Sequence, residues 1–151
     1  MVAYMNFIVT GGCGFIGSNL AERLVNDGHN VIVFDDLSTG SLENIAGLNV
    51  KFYNEYNKIH ELSKVDGVFH LGMPSSSPMY KENPLLVGKT VNEAIEIFEY
   101  ARKNGCKIVY ASSSSIYNGN QIPYREDMPI FVTDVTDYYI IILSVDTALK
   151  D

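Results

Sequence analysis

One run of eight residues constrains the fold of this chain more than any other: Thr10-Gly11-Gly12-Cys13-Gly14-Phe15-Ile16-Gly17. It follows the apolar segment Phe7-Ile8-Val9, which is typical of a buried strand, and it leads into a stretch with apolar residues at helical spacing. A strand, a glycine turn and a helix in this order form a unit that can hold a dinucleotide pyrophosphate. In such a unit Gly11 allows the tight turn, Gly14 lets the backbone approach the phosphates, and Gly17 lets the helix lie close to the strand.

The next apolar segment ends in two carboxylates. Val31-Ile32-Val33-Phe34 is followed by Asp35 and Asp36, near the spacing of about 20 residues expected after a dinucleotide-binding glycine turn. A carboxylate here can accept hydrogen bonds from both hydroxyls of a ribose, and it repels a 2′-phosphate. The sequence therefore predicts NAD rather than NADP as a ligand. The alternative interpretation is an ordinary turn followed by a solvated acidic strand end.

Apolar strands alternate with helical segments along the chain. We predict strands over Asn6–Val9, Val31–Phe34, Val50–Tyr53, Val68–Leu71 and Ile108–Ala111, and helices over Phe15–Asp27, Lys58–Ser63 and Leu85–Lys103. This alternation predicts an α/β fold with a doubly wound parallel sheet, the Rossmann fold, whose ligand crevice lies beyond the carboxyl ends of the strands. We expect a single domain over residues 1–151, with an atypical end over about residues 130–151.

Composition excludes several classes of function. The formal net charge is −7 and no cluster of Lys and Arg is present, which argues against nucleic acid as a partner. No stretch of about 20 apolar residues predicts a membrane span. Cys13 and Cys106 lack metal-binding spacing, so we expect no metal and a reduced, cytoplasmic protein. Cys13 is either a thiol whose pKa is lowered at a helix N-terminus or a small residue that fits the turn.

The spacing Gly11-x-x-Gly14-x-x-Gly17 resembles the glycine turn of the extended short-chain dehydrogenase/reductases, the family of NAD-dependent nucleotide-sugar epimerases and dehydratases. Three further segments resemble those of this family, the first of them a segment of its UDP-glucose 4-epimerases. Residues 35–40 are similar to D-N-L-S-T-G, residues 69–73 to F-H-L-A-A, and residues 112–117 to S-S-x-x-V-Y-G. The resemblance runs from about Asn6 to about Pro129, with the motifs in the family's order.

The resemblance implies NAD as the cofactor and hydride transfer at a hydroxyl of a nucleotide-sugar. The residues that it assigns to cofactor binding are Gly11, Gly14, Phe15, Ile16, Gly17, Asp35, Asp36, Ser38, Leu71, Gly72 and Ser112. It also implies that Ser113 bonds the reacting oxygen and that a tyrosine takes its proton. Tyr138 and Tyr139 lie in the expected zone, and we assign the catalytic role to Tyr139.

The sequence departs from the family pattern in four places. The lysine expected four residues after the tyrosine is replaced by Ile142 or Leu143. The aspartate that follows strand three in the family has no clear match, and the family's helix asparagine aligns ambiguously with Thr90 or Asn92. The substrate-binding domain that follows in the family has no counterpart in these 151 residues.

These departures leave two interpretations open. The chain is either the cofactor half of an epimerase-like enzyme, not competent alone, or a non-catalytic NAD(H)-binding module with a sensing or partner-binding role. A weaker third interpretation, an NADP-linked reductase, conflicts with Asp35. The apolar run Ile140–Leu143 predicts self-association, because its four side chains cannot all face one core.

Overall fold

Five short apolar segments form one parallel sheet in the computed structural model, which describes residues 4–117 and 119–129. The strands are β1 (Asn6–Thr10), β2 (Asn30–Phe34), β3 (Val50–Tyr53), β4 (Gly67–His70) and β5 (Lys107–Tyr110). Their order is β3-β2-β1-β4-β5, and every neighbouring pair is parallel. The predicted α/β fold of Rossmann type is confirmed, with strand bounds that differ from the predicted ones by one residue or none.

Helices connect the strands. They are α1 (Phe15–Asn26), α2 (Ser77–Glu82) and α3 (Leu85–Asn104), with 3₁₀ turns at Leu42–Ile45, Tyr56–Glu61 and Ser114–Tyr117. The segment predicted as a helix over Lys58–Ser63 is a 3₁₀ turn that begins two residues earlier. Helix α2 was not predicted from the sequence, although Pro78 lies in its first turn, a position that proline favours.

Residues of β1 alternate between the two faces of the sheet. Ile8 packs in one buried cluster with Ile97 and Tyr100 of α3, whereas Val9 packs in the other with residues of α1, among them Ala21. Successive side chains of a strand point to opposite faces. The sheet is therefore covered on both sides, which explains why its strands are apolar throughout.

The chain divides into two compact units. The first comprises the chain up to Met73 together with Glu93–Ala111, and the second comprises Pro74–Asn92 and the segment from Ser112 onward. In the second unit Tyr80 of α2 is buried, and its hydroxyl donates to the carbonyl of Pro74 at 2.9 Å. None of the helices in the described part of the chain is long and apolar enough to cross a membrane.

The order of the strands reverses between β1 and β4, which are neighbours in space but not in sequence. From β1 the chain passes to β2 on one side, whereas β4 leads to β5 on the other. In open α/β sheets a ligand crevice forms at such a point, beyond the carboxyl ends of the strands. Here those ends are Thr10 and His70, which are register partners across the pair.

Candidate functional site

The turn after β1 begins at a glycine for two physical reasons. Gly11 has φ +65°, in the left-handed region that favours glycine. A Cβ at this position would also lie 2.6 Å from the Cα of Gly72, too close for any side chain. The N–H of Gly11 donates to the carbonyl of Phe34 at 2.8 Å, which ties the turn to the end of β2.

Gly17 permits a close approach between the helix and the glycine turn. A Cβ here would lie 2.1 Å from the carbonyl oxygen of Gly11, so the first turn of α1 packs directly against the glycine turn. Gly17 is buried. It thus brings the N-terminus of α1 onto the turn.

The N-terminus of α1 presents backbone donors without a capping side chain. Its N-cap is Gly14, which makes no side-chain hydrogen bond. Helical geometry leaves the N–H groups of Phe15, Ile16 and Gly17 without intrahelical acceptors. The side chains of Phe15 and Ile16 are 85% and 69% exposed. These donors and the positive end of the helix dipole suit an anionic group such as a phosphate.

Asp35 lies buried against the glycine turn. Asp35 is 6% exposed. Its Oδ2 accepts from the N–H of Cys13 at 2.9 Å. Its Oδ1 accepts from the N–H of Leu37 at 2.8 Å. A carboxylate offers about four lone-pair sites, so capacity remains for further donors. The alternative of a solvated strand end is therefore wrong for Asp35.

The two residues after Asp35 differ from it. Asp36 is exposed, and its Oδ1 accepts from the N–H of Ser38 at 3.0 Å. Leu37 has φ +58°, a left-handed conformation that is unfavourable for a branched apolar residue. The segment after β2 therefore holds one buried and one exposed carboxylate on a strained turn.

Cys13 is a packed residue of the turn rather than a reactive one. Burial, followed by the charge of Asp35, raises the pKa of its thiol to about 11, so the alternative of a lowered pKa is wrong. Its carbonyl accepts from the N–H of Ser41 at 3.1 Å and from Asn44 Nδ2 at 2.8 Å. A Cβ at Gly40 would lie 2.8 Å from the carbonyl carbon of Cys13. These roles of Gly40 and Asn44 were not predicted from the sequence.

A threonine organises the turn after β4. Thr10 Oγ1 accepts from the N–H groups of Leu71 and Gly72, each at 3.1 Å, and lies 2.7 Å from His70 Nδ1. Leu71 and Gly72 therefore lie at the switch point, and both of their N–H groups already have an acceptor in the protein. Burial lowers the pKa of His70 to about 4, so its ring is neutral at pH 7.

Tyr56 lies against the turn that follows β4, and this contact was not predicted from the sequence. The residue is buried in the 3₁₀ turn that follows β3. A Cβ on Gly72 would lie 2.5 Å from its hydroxyl. Burial, and then the charge of Glu93 above those of Asp35 and Asp36, raises the pKa of the phenol. The segment in which the family's aspartate has no match thus contributes a neutral phenol.

The remaining residues that were predicted for the site do not belong to the first unit, which carries the glycine turn. Ser112 is exposed and Ser113 half-buried in the second unit, where the carbonyl of Ser113 accepts from the N–H of Ile116 at 3.3 Å. Tyr139 lies outside the described residues, as do Tyr138 and Ile142. No cluster of metal-ligating side chains occurs within 4–117 and 119–129.

The structure separates the two residues that align with the family's helix asparagine. Thr90 is buried and Asn92 is exposed on α3. The inward-facing side chain at this level of the helix is therefore that of Thr90.

With this geometry established, comparison with known proteins decides the family. The sequence profile described as the NAD dependent epimerase/dehydratase family matches residues 7–150. The chain belongs to this family. Its cofactor is NAD, as the family's description states, and the resemblance found in the glycine turn is confirmed.

Curated relatives of this chain within the family carry out more than one reaction. UDP-glucuronic acid decarboxylase 1 of Danio rerio is 34% identical over 127 residues, which cover 80% of this chain and 30% of the relative. UDP-glucose 4-epimerase of Neisseria meningitidis is 32% identical over 146 residues, which cover 83% of this chain and 42% of the relative. The chain thus spans less than half the length of these two relatives.

Solved structures share the fold. UDP-N-acetylglucosamine 4-epimerase from Methanobrevibacter ruminantium, in complex with UDP-N-acetylmuramic acid, superposes with a TM-score of 0.87 at 28% identity, over 99% of this chain and 50% of that one. UDP-glucose-4-epimerase from Stenotrophomonas maltophila, with bound NAD and formylated UDP-arabinopyranose, gives a TM-score of 0.84 at 25% identity, over 97% of this chain and 48% of that one.

Proposed function

We propose that this chain binds NAD(H) at the carboxyl edge of its sheet and is the cofactor-binding portion of a nucleotide-sugar epimerase or dehydratase. One observation carries the proposal: the uncapped N-terminus of α1 lies on a glycine turn that the buried carboxylate of Asp35 holds through Cys13. A structural turn alone needs neither the free helix N-terminus nor the buried charge. Both are suited to a dinucleotide, which carries a pyrophosphate and a ribose diol.

Each half of the dinucleotide has a binding element in this proposal. The pyrophosphate lies against the N–H groups of Phe15, Ile16 and Gly17. Asp35 accepts from the adenosine ribose hydroxyls with its remaining lone pairs, while Asp36 and Ser38 line the same strand end. Two adjacent carboxylates disfavour a 2′-phosphate, so the site prefers NAD(H) to NADP(H).

The proposed reaction is hydride transfer at a hydroxyl of a nucleotide-sugar. When bound, the nicotinamide supplies the hydride acceptor. Ser113 holds the reacting oxygen, Ser112 lies beside the cofactor and Tyr139 takes the proton. The printed names of the relatives, UDP-glucose 4-epimerase and UDP-glucuronic acid decarboxylase, support UDP-sugars as the substrate class.

A second candidate function is a non-catalytic NAD(H)-binding module. It is supported by Ile142 and Leu143, the residues found four positions after the two candidate tyrosines. Without a neighbouring lysine a phenol keeps a pKa near 10 and little phenolate forms at pH 7. We therefore expect the 151-residue chain to bind NAD(H) without turning over a UDP-sugar at a useful rate.

Titration with NADH and NADPH, followed by fluorescence, tests the binding site. We expect NADH to bind and NADPH to bind at least tenfold more weakly, and Asp35→Ala to weaken NADH binding by about 1–3 kcal/mol. Asp66→Ala is the matched control, because Asp66 also accepts a backbone N–H, that of Asn6, but at the amino end of β1. Equal effects of the two substitutions, or no binding of NADH at millimolar concentration, would contradict the proposal.

A coupled assay with UDP-glucose, UDP-galactose and UDP-glucuronic acid tests whether the chain is catalytic by itself. The absence of turnover in a protein that binds NADH is the result expected of both candidates, because the first is a portion of an enzyme that is not competent alone. Turnover that is lost in Ser113→Ala and in Tyr139→Phe shows that the chain is itself catalytic.

A further inference from the structure

His70 is almost fully buried at the carboxyl end of β4, and nothing proposed so far uses its side chain. The residue is 2% exposed. The ring of Tyr110 stacks on it and that of Phe98 lies edge-on, each with a centroid separation of 5.8 Å. Its Nδ1 lies 2.7 Å from Thr10 Oγ1, across the switch point. A polar ring thus occupies a place where an apolar side chain would pack without losing solvation.

The hydrogen bonds of Thr10 determine which ring nitrogen of His70 carries the proton. Thr10 Oγ1 accepts from two backbone N–H groups, those of Leu71 and Gly72. A hydroxyl has two acceptor lone pairs and one hydrogen, so the hydrogen is left to donate to His70 Nδ1. On this basis we assign Nδ1 of His70 as the acceptor and Nε2 as the protonated nitrogen, and Nε2 has no hydrogen-bond partner among the described residues.

This arrangement has an unfavourable component. A buried N–H without an acceptor destabilises the folded protein, and the ring contacts of His70 with Tyr110 and Phe98 are ones that an apolar aromatic side chain could also make. The acceptor at Nδ1 is the property that distinguishes it. By holding the hydroxyl hydrogen, His70 directs both lone pairs of Thr10 toward Leu71 and Gly72.

The threonine in turn sets a backbone contact. Its two hydrogen bonds draw the turn after β4 toward the turn after β1, where a Cβ on Gly11 would lie 2.6 Å from the Cα of Gly72. Gly11 opens the turn that leads to the N-terminus of α1. The position of the phosphate-binding donors therefore depends on a chain of contacts that begins at His70.

We propose that His70 is a positioning residue of the cofactor site, which acts as a neutral Nδ1 acceptor and fixes, through Thr10, the spacing of the two glycine turns and hence the affinity for the dinucleotide. The inference rests on the proposed function, since it assumes that NAD(H) binds at this edge. The low pKa of the ring supports it, because the acceptor is lost only when Nδ1 is protonated.

Three variants test the role in binding. His70→Leu removes the acceptor, His70→Asn keeps an acceptor oxygen near the position of Nδ1, and Tyr100→Phe is the control. Tyr100→Phe removes another buried hydrogen bond of the first unit, from the Tyr100 hydroxyl to the carbonyl of Ser63 at 2.7 Å. We expect the Kd for NADH to rise about tenfold in His70→Leu, about threefold or less in His70→Asn, and not at all in the control. A folded His70→Leu variant with wild-type affinity overturns the proposal.

Two measurements by nuclear magnetic resonance do not depend on the cofactor. The long-range ¹H–¹⁵N spectrum of the wild-type protein should show His70 protonated at Nε2, and a ring protonated at Nδ1 overturns the proposal even where His70→Leu fails to fold. The amide hydrogens of Leu71 and Gly72 should exchange faster in His70→Asn and His70→Leu than in Tyr100→Phe. Equal exchange in all three variants also overturns it.

These readouts separate the two proposals. A wild-type protein that shows the Nε2–H ring but binds no NADH contradicts the proposed function, and the exchange rates then decide the positioning of the turn by themselves. A wild-type protein that binds NADH with the opposite tautomer retains the proposed function and contradicts the role of His70.

Discussion

The two edges of the sheet are built from the same five strands but differ in how closely their backbones approach each other. At the carboxyl edge, a Cβ on Gly11, Gly17 or Gly72 would lie within 3 Å of another backbone. At the amino edge Gly28 and Gly105 have positive φ, yet a Cβ on either would meet nothing within 4 Å. Glycine permits close approach of backbones at the first edge, whereas Gly28 and Gly105 at the second serve only the direction of the chain.

Polar groups follow the same division. Thr10, Asp35 and His70 at the carboxyl edge are all buried, and each has a hydrogen bond to another strand end or turn. At the amino edge Asp66 and Asn6 are both exposed, and the N–H of Asn6 donates a hydrogen bond to Asp66 Oδ2. Buried polar groups are costly unless their hydrogen bonds are made, and at the carboxyl edge the hydrogen bonds of these three side chains join neighbouring strand ends and turns.

The largest expected effect comes from filling the tightest contact of the carboxyl edge. Gly17→Ala places a methyl group about 2.1 Å from the carbonyl oxygen of Gly11, which a backbone can relieve only by shifting. We expect a loss of about 3 kcal/mol in the free energy of unfolding, together with loss of NADH binding. Urea denaturation and NADH titration measure both. A stable variant with normal affinity would show that the two edges tolerate side chains equally.

The second prediction concerns pH. The pKa of His70 is about 4 in the folded protein and about 6.5 when the chain is unfolded, so the unfolded state binds more protons between these values. The stabilising effect of the neutral ring is complete above pH 6.5 and declines as the pH falls toward 4, by about 3 kcal/mol in all. The difference in unfolding free energy between wild type and His70→Asn, measured from pH 7 to pH 4, isolates this contribution from the carboxylates. A pH-independent difference contradicts it.

A smaller effect is expected at the amino edge. Gly28 has φ +89° and open space around it, so Gly28→Ala should cost only the backbone strain of about 1–2 kcal/mol. Gly28→Asn should cost less, since asparagine tolerates positive φ better. Thermal unfolding of the two variants gives the ranking. NADH affinity should be unchanged in both, and a weakened affinity would mean that the amino edge also shapes the site.

The smallest effect should have the opposite sign. Gly88 lies in α3 with ordinary helical φ, and a Cβ there would meet nothing within 4 Å. Gly88→Ala should therefore stabilise the protein by about 0.5–1 kcal/mol, because alanine loses less backbone entropy in a helix. Urea denaturation of Gly88→Ala and Gly17→Ala should show changes of opposite sign in the free energy of unfolding. Destabilisation would indicate that Gly88 is needed for a contact rather than tolerated.

Much of the fold was predictable from local pattern. The five strands and two long helices lie within one or two residues of their predicted bounds, since buried parallel strands are continuously apolar and helices have apolar residues at regular spacing. Short elements were missed, among them α2 and the 3₁₀ turn Leu42–Ile45, because one turn of helix carries too little periodicity to be recognised.

The candidate site was predictable only in part. The glycine turn and Asp35 could be predicted from the spacing of residues in the sequence, but the side chains that contact the two glycine turns could not. Asn44 reaches Cys13 from 31 residues away in sequence, and Tyr56 reaches Gly72 from the 3₁₀ turn that follows β3. One interpretation of the sequence had the helix N-terminus lower the pKa of Cys13. In the structure this pKa is raised, because burial outweighs the helix dipole there.

By itself, the sequence determined the parallel sheet, the place of the glycine turn and the family, because each of these depends on residue types at fixed spacing along one segment. The tertiary structure alone decided that Gly17 packs on the turn, that Asp35 is buried, and that Thr10, His70 and Gly72 meet at the switch point. These facts depend on which strands become neighbours. Thr10 and His70 are 60 residues apart, and no local pattern reveals that their side chains form a hydrogen bond.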